Sequence, residues 1–251
     1  MNEGTRLIRL NKTLAFAGVC SRRRADELIA AGVVCVNGIV ADELGQRIDP
    51  RADTITVHGK PVVLPSDGMG SQRHVYVMLH KPIQVVSTVK EPEGRPAVLD
   101  FLSEELRKST RLYPVGRLDY FSEGLLLLTD DGELTNRLTH PRYHLPKRYQ
   151  VRVRERVENR MLEIMQKGMT LREGERLAPV EAEVQEDNIL LLTLRQGINR
   201  QIRRMCRDLG LTILSLRRIS LGPLCLGDLP KGRCRVLLPD EVAALKKSVG
   251  L

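Results

Sequence analysis

Apolar and polar positions change their period several times along this chain, and each change marks an element. Leu10, Leu14 and Ala17 recur at helical spacing and are followed by Gly18. Ser21 then stands ahead of a second such run, Ala25, Leu28 and Ile29, which Gly32 closes. Val33 to Val36 leads into Asn37-Gly38, a dipeptide that accepts positive φ at both central positions of a type I′ turn, so a strand entering a hairpin is predicted. The stretch PSDGMGSQR at 65 to 73 is rich in Pro, Gly and Ser and predicts a linker. The chain therefore divides into an N-terminal domain over 1–64, a linker over 65–73 and a larger domain over 74–251.

From 74 onward, apolar runs at 75–82, 85–89, 124–129, 149–153, 189–194 and 212–221 predict strands. Helical spacing predicts helices near 97–107, 132–139, 157–167 and 200–209, and together these give an α+β domain of mixed elements. In KRYQVRV, 147 to 153, Tyr149, Val151 and Val153 alternate with Gln150 and Arg152, the pattern of a half-buried strand. In QGINRQIRRMCRDLG, 196 to 210, Ile202, Met205, Cys206 and Leu209 form the buried stripe of an amphipathic helix, with Asn199 as its expected N-cap and Gly210 as its stop. Arg200, Arg203, Arg204 and Arg207 take the remaining positions. Cations in a first helical turn oppose the helix dipole, so an anion is expected to meet them.

Charge extends this picture. The 251 residues carry 40 Lys+Arg against 31 Asp+Glu, a formal charge of +9, which makes a polyanion the expected partner class. Arg22, Arg23 and Arg24 crowd the first turn of the second helix, where a phosphate backbone would relieve them. No apolar run reaches transmembrane length and no signal peptide opens the chain, so a cytoplasmic protein without membrane contact is expected. The five cysteines include no C-x-x-C pair and are expected to be reduced. His140 and His144 are i, i+4, yet Pro141 and Pro146 make their segment a loop, so no metal site is expected. Gly68 and Gly70 lack the third glycine and the strand-to-helix setting of a nucleotide loop.

The candidate chemistry centres on GRLDYFSEGLLLLTDDG, 116 to 132, which holds an isolated acid, Asp119, at a loop mouth. Arg117, two residues earlier, faces the same side in extended backbone, while Leu118 and Leu125 to Leu128 point into a core. Gly116 and Gly124 allow a tight path around the carboxylate.

Taken in order, GRLD with its Leu-rich strand, then K-x-Y, then NRQIRR resembles the RsuA-like family of ribosomal pseudouridine synthases, over nearly all of the chain. The form QGINRQIRRMC is most similar to members acting on large-subunit ribosomal RNA, and residues 9 to 38 resemble the small RNA-binding domain named after ribosomal protein S-four. The resemblance implies a mixed, mostly antiparallel sheet with a catalytic cleft across its middle. It implies Asp119 as the catalytic aspartate, Tyr149 as the active-site tyrosine, Arg203 as the partner of the aspartate, and isomerisation of a specific uridine without a cofactor.

With the basic positions, the resemblance makes Arg9, Lys12, Arg22, Arg23, Arg24, Arg117, Lys147, Arg200 and Arg204 the expected contacts to ribosomal RNA or an assembling subunit, made by a monomer. Phe121, Gln196 and Ile198 depart from the family pattern and bear on substrate docking. Two other classes compete: a non-catalytic ribosome-binding protein, which has no need of an acid facing Arg and Tyr, and an RNA methyltransferase, which needs a glycine-rich cofactor loop after a strand.

Overall fold

A computed structural model describes residues 7–64, 74–186 and 188–251, so the expected linker lies outside the described residues. The chain separates into two compact units, Met1–Arg73 and His74–Leu251.

The first unit runs β1 (Ile8–Arg9), α1 (Leu10–Phe16), α2 (Arg22–Ala30), β2 (Val34–Val36), β3 (Ile39–Val40), β4 (Arg47–Ile48), β5 (Ile55–Val57) and β6 (Lys60–Pro61). Strands β3, β2, β5 and β6 form one antiparallel sheet in that order, and β1 pairs with β4. The helical stripes read from the sequence meet here, with Leu10, Leu14, Ala25 and Ile29 packing on Val34, Ile48 and Ile55. Ser21 caps α2 by accepting from the Arg24 amide at 3.1 Å. Asn37 and Gly38 take φ of 52° and 80°, as the predicted turn requires. His58 and Gly59 repeat that conformation between β5 and β6, a turn that the sequence reading did not mark.

The second unit contains β7 (Tyr76–Lys81), α3 (Glu104–Ser109), β8 (Tyr113–Pro114), β9 (Glu123–Thr129), α4 (Gly132–Thr139), β10 (Lys147–Val153), α5 (Asn159–Lys167), β11 (Glu181–Glu186) and β12 (Ile189–Leu194). It continues with α6 (Gln201–Asp208), β13 (Ile213–Leu221), β14 (Leu224–Cys225), β15 (Cys234–Val236) and α7 (Pro239–Lys247). One mixed sheet orders these strands β11-β12-β10-β13-β9-β7-β15, with β14 on β13 and β8 on β9. Its pairings are antiparallel except β13 with β9.

Leu125 and Leu127 pack with Met78, Leu134 and Leu245, while Leu126 and Leu128 pack on the opposite face with Val77, Leu79 and Leu118. The unbroken leucine run thus marks a strand covered on both faces rather than a single core face. Gly124 sits at the parallel junction with φ +110°, and a Cβ there would lie 2.2 Å from the Arg218 carbonyl oxygen. Only glycine lets β9 approach β13 so closely.

Three local expectations are corrected. Residues 85–89 form no strand beyond a single bridge between Val86 and Ala97, because Ser87 turns its hydroxyl to the backbone of Leu118, accepting from its amide at 3.1 Å and donating to its carbonyl at 2.9 Å. The helix expected near 97–107 breaks into a 3₁₀ turn over Val98–Phe101 and α3, since Leu102 and Ser103 are extended and Ser103 caps the new start. Helix α6 begins at Gln201 with Arg200, not Asn199, at the N-cap, because Arg200 takes the left-handed conformation (φ 49°, ψ 31°).

Candidate active site

The parallel junction between β13 and β9 is where the second unit gathers the candidate site residues. Asp119 lies in the loop entering β9, and its backbone is locked in place. Its carbonyl accepts from the Ser122 amide at 3.0 Å, and the Tyr120 carbonyl accepts from the Gln84 amide at 2.6 Å. Two cations grip the same turn. Lys81, at the end of β7, donates to the carbonyls of Pro82 and Ser122, each at 2.8 Å. Arg203 Nη2, from α6, donates to the Phe121 carbonyl at 2.8 Å and to Ser122 Oγ at 3.3 Å.

Arg203 Nε then lies 3.7 Å from Asp119 Oδ2, an ion pair longer than a hydrogen bond. The carboxylate sits at the loop mouth as expected, its side chain remaining 41% exposed. Lys81 is fully buried, and burial pulls its pKa down to about 8 against the opposing attraction of Asp119 and Glu123. Burial likewise lowers the Arg203 pKa, with Asp119 opposing.

Tyr149 on β10 packs against the apolar clusters on either side of the cleft and lines a cavity of about 330 Å³ together with Asp119, Arg117, Lys147, Arg200 and Arg203. Backbone pairing places Tyr149 beside Arg218, Arg218 beside Gly124, and Gly124 beside Lys81, a single row across four strands. Residues opposed in this way project from one face of a sheet.

The amino-acid sequence independently fits this site to a known enzyme family. Residues 75–208 match the model of the family described as RNA pseudouridylate synthase, and residues 8–55 match that of the S4 domain. The chain belongs to the RNA pseudouridylate synthase family. It is 40% identical to an uncharacterized RNA pseudouridine synthase of Aquifex aeolicus, over 97% of this chain and 96% of that one. It is 39% identical to ribosomal large subunit pseudouridine synthase B of Bacillus subtilis, over 95% of each. Among solved structures it is similar to a pseudouridylate synthase with a TM-score of 0.68 and 29% identity, over 95% of this chain and 99% of that chain.

Within this synthase the sequence-derived candidates divide clearly. Asp119, Tyr149, Arg203, Arg117, Lys147 and Arg200 share the one cavity. Arg204 is not among its lining: it pairs with Glu175 at 2.6 Å and Glu173 at 3.3 Å. Arg207 pairs with Glu173 and Asp208, so carboxylates of the chain itself supply much of the anion that this basic helix called for. In the S4 domain Arg9, Lys12, Arg22, Arg23 and Arg24 are exposed, Arg24 in an ion pair with Glu27 at 2.6 Å.

Sequence reasoning missed Lys81 and Arg218, which are 0% and 3% exposed. Their signal was present: each is a cation set in an apolar strand, MLHK and LSLRRISL, where a solvated face gives no reason for charge.

Proposed function

We propose that this enzyme converts a specific uridine of large-subunit ribosomal RNA to pseudouridine. The observation that carries the reading is the constellation around one cavity: Asp119 on a locked turn, Arg203 against it, and Tyr149 on the facing strand. The name borne by the Bacillus subtilis relative supports the choice of RNA.

The isomerisation breaks the bond between the sugar and the uracil ring nitrogen and rejoins the sugar to ring carbon five, with one proton lost from that carbon and one gained at the nitrogen. It needs neither redox change nor net hydrolysis, so no cofactor enters. Asp119 acts on the sugar or base, and Arg203 holds it in place. Tyr149 stacks on the extruded base, its hydroxyl placed to assist the final loss of the carbon-five proton. Arg117 and Arg200 at the cleft rim, with Arg9, Lys12, Arg22, Arg23 and Arg24 of the S4 domain, meet phosphates and offset the cost of extruding the base, while Lys147 contacts the RNA inside the cleft. The protein works as a cytoplasmic monomer on ribosomal RNA or an assembling subunit. Among the described residues no helix is long and apolar enough to cross a membrane.

Mapping pseudouridines by chemical adduct and primer extension in a deletion strain tests this directly. One site in large-subunit RNA should disappear and return with the wild-type gene; an unchanged map counts against the reading.

A further inference from the structure

One side chain of the cleft is charged, buried and unanswered. Arg218 on β13 is 3% exposed, donates through Nε to the Leu125 carbonyl at 2.8 Å, and leaves Nη2 buried with no hydrogen-bond partner among the described residues. Other cations near it are engaged or open to solvent: Arg203 pairs with Asp119, Arg195 with Glu181, and Arg117 and Arg200 are exposed on the rim. A buried guanidinium without a carboxylate is costly to keep, which calls for a ligand that meets it.

Its position indicates which ligand. Arg218 lies directly opposite Tyr149 in the β10–β13 register and lines the same cavity. Lys147, two residues from Tyr149 on the same strand, lines it too, and its amine donates to the Leu145 carbonyl at 3.2 Å. Burial and then the Arg218 charge hold the Lys147 pKa below that of an ordinary lysine, so the two cations sense each other. Both stand where the ring that Tyr149 stacks would rest, on the sheet, whereas the rim arginines are placed for phosphates.

We propose that Arg218 and Lys147 form the subsite for the oxygens of the uracil ring and carry the negative charge that the ring acquires as it leaves the sugar. This rests on the uridine chemistry proposed above. When the C1′–N1 bond breaks, its electron pair passes to the base and spreads over N1, O2 and O4. Ring carbon five then bonds to C1′, gives up its proton, and N1 takes one. Fixed positive charge at the ring oxygens stabilises the detached base more than the attached one and so speeds the step.

The test uses the full-length enzyme and a ribosomal RNA fragment carrying either uridine or 5-fluorouridine at the modified position. Fluorine makes the detached base a weaker base, less dependent on outside stabilisation. Arg218→Met should slow single-turnover breakage of the C1′–N1 bond of uridine by 100-fold or more, leave RNA affinity within about threefold, and lose at least tenfold less on 5-fluorouridine, where bond breakage is the readout because ring carbon five carries fluorine and has no proton to give up. Equal losses on the two bases, or a fall in affinity that accounts for the rate, would overturn the subsite, the latter indicating a phosphate contact. If loss of the Leu125 bond unfolds that variant, Lys147→Met carries the same comparison, and equal losses there overturn the proposal. Wild-type turnover is the control: without it the uridine chemistry itself fails, whereas an active wild type with an equally active Arg218→Met refutes only the subsite.

Discussion

Arg203 holds Asp119 indirectly: it hydrogen-bonds the Phe121 carbonyl and the Ser122 hydroxyl of the turn that carries the carboxylate, and reaches the carboxylate itself only at 3.7 Å. The guanidinium therefore fixes the turn first and the charge second, leaving the carboxylate room to move onto a substrate. Arg203→Met removes both effects. Single-turnover conversion should fall by about 10²–10³, while RNA affinity changes by less than tenfold. A rate within fivefold of wild type would show that the turn needs no such clamp.

Tyr149 separates stacking from proton transfer. Tyr149→Phe should keep RNA affinity and slow the reaction, whereas Tyr149→Ala should also weaken binding by ~1–3 kcal/mol, the worth of one stacked base. Affinity and single-turnover rate measured on both variants decide it. Equal losses would leave the hydroxyl without a role.

Lys81 gives the fold a signature at alkaline pH. Its folded pKa is about 8 against 10.5 for an ordinary lysine. Between those values the unfolded chain binds more protons, so stability rises with pH across that window, and the cost is complete below it. Denaturant unfolding at pH 8 and pH 10 should show wild type gaining on Lys81→Met by up to about 1.4 kcal/mol per pH unit. A constant difference would mean that Lys81 stays charged throughout.

Much of this architecture is legible in the sequence because period and turn chemistry act locally. The stripe of Ile202, Met205 and Cys206, the alternation of Tyr149, Val151 and Val153, and the Asn37-Gly38 turn all appear where they were expected. What escaped depends on partners distant in the chain. Ser87 leaves strand geometry to bond Leu118, thirty-one residues away. Helix α7 covers Leu134 through Leu245, a contact with no trace in its weakly periodic sequence. The ion pairs of Arg204 with Glu173 and Glu175 join segments that no local pattern brings together. The candidate site was readable as three motifs, but the row from Tyr149 through Arg218 and Gly124 to Lys81 required strand order, which period alone does not supply.

The S4 domain offers a count of phosphates. Arg22 and Arg23 stand exposed at the start of α2, whereas Arg24 is held by Glu27 at 2.6 Å. Replacing Arg22 and Arg23 by Ala should flatten the slope of log affinity against log salt by roughly 1.4–1.8, at ~0.7–0.9 per phosphate. Adding Arg24→Ala should change it little further. An unchanged slope would make these arginines a solvated surface.

On the function proposed above, Asp119 performs the chemistry and does not merely shape the loop. Asp119→Asn is nearly isosteric and keeps the turn, whose locking bonds run through backbone carbonyls and Arg203. The decisive measurement is single-turnover pseudouridine formation on the ribosomal RNA fragment, beside its binding affinity. Binding within a few-fold of wild type with no detectable pseudouridine is the expected result; turnover retained by Asp119→Asn would contradict the account.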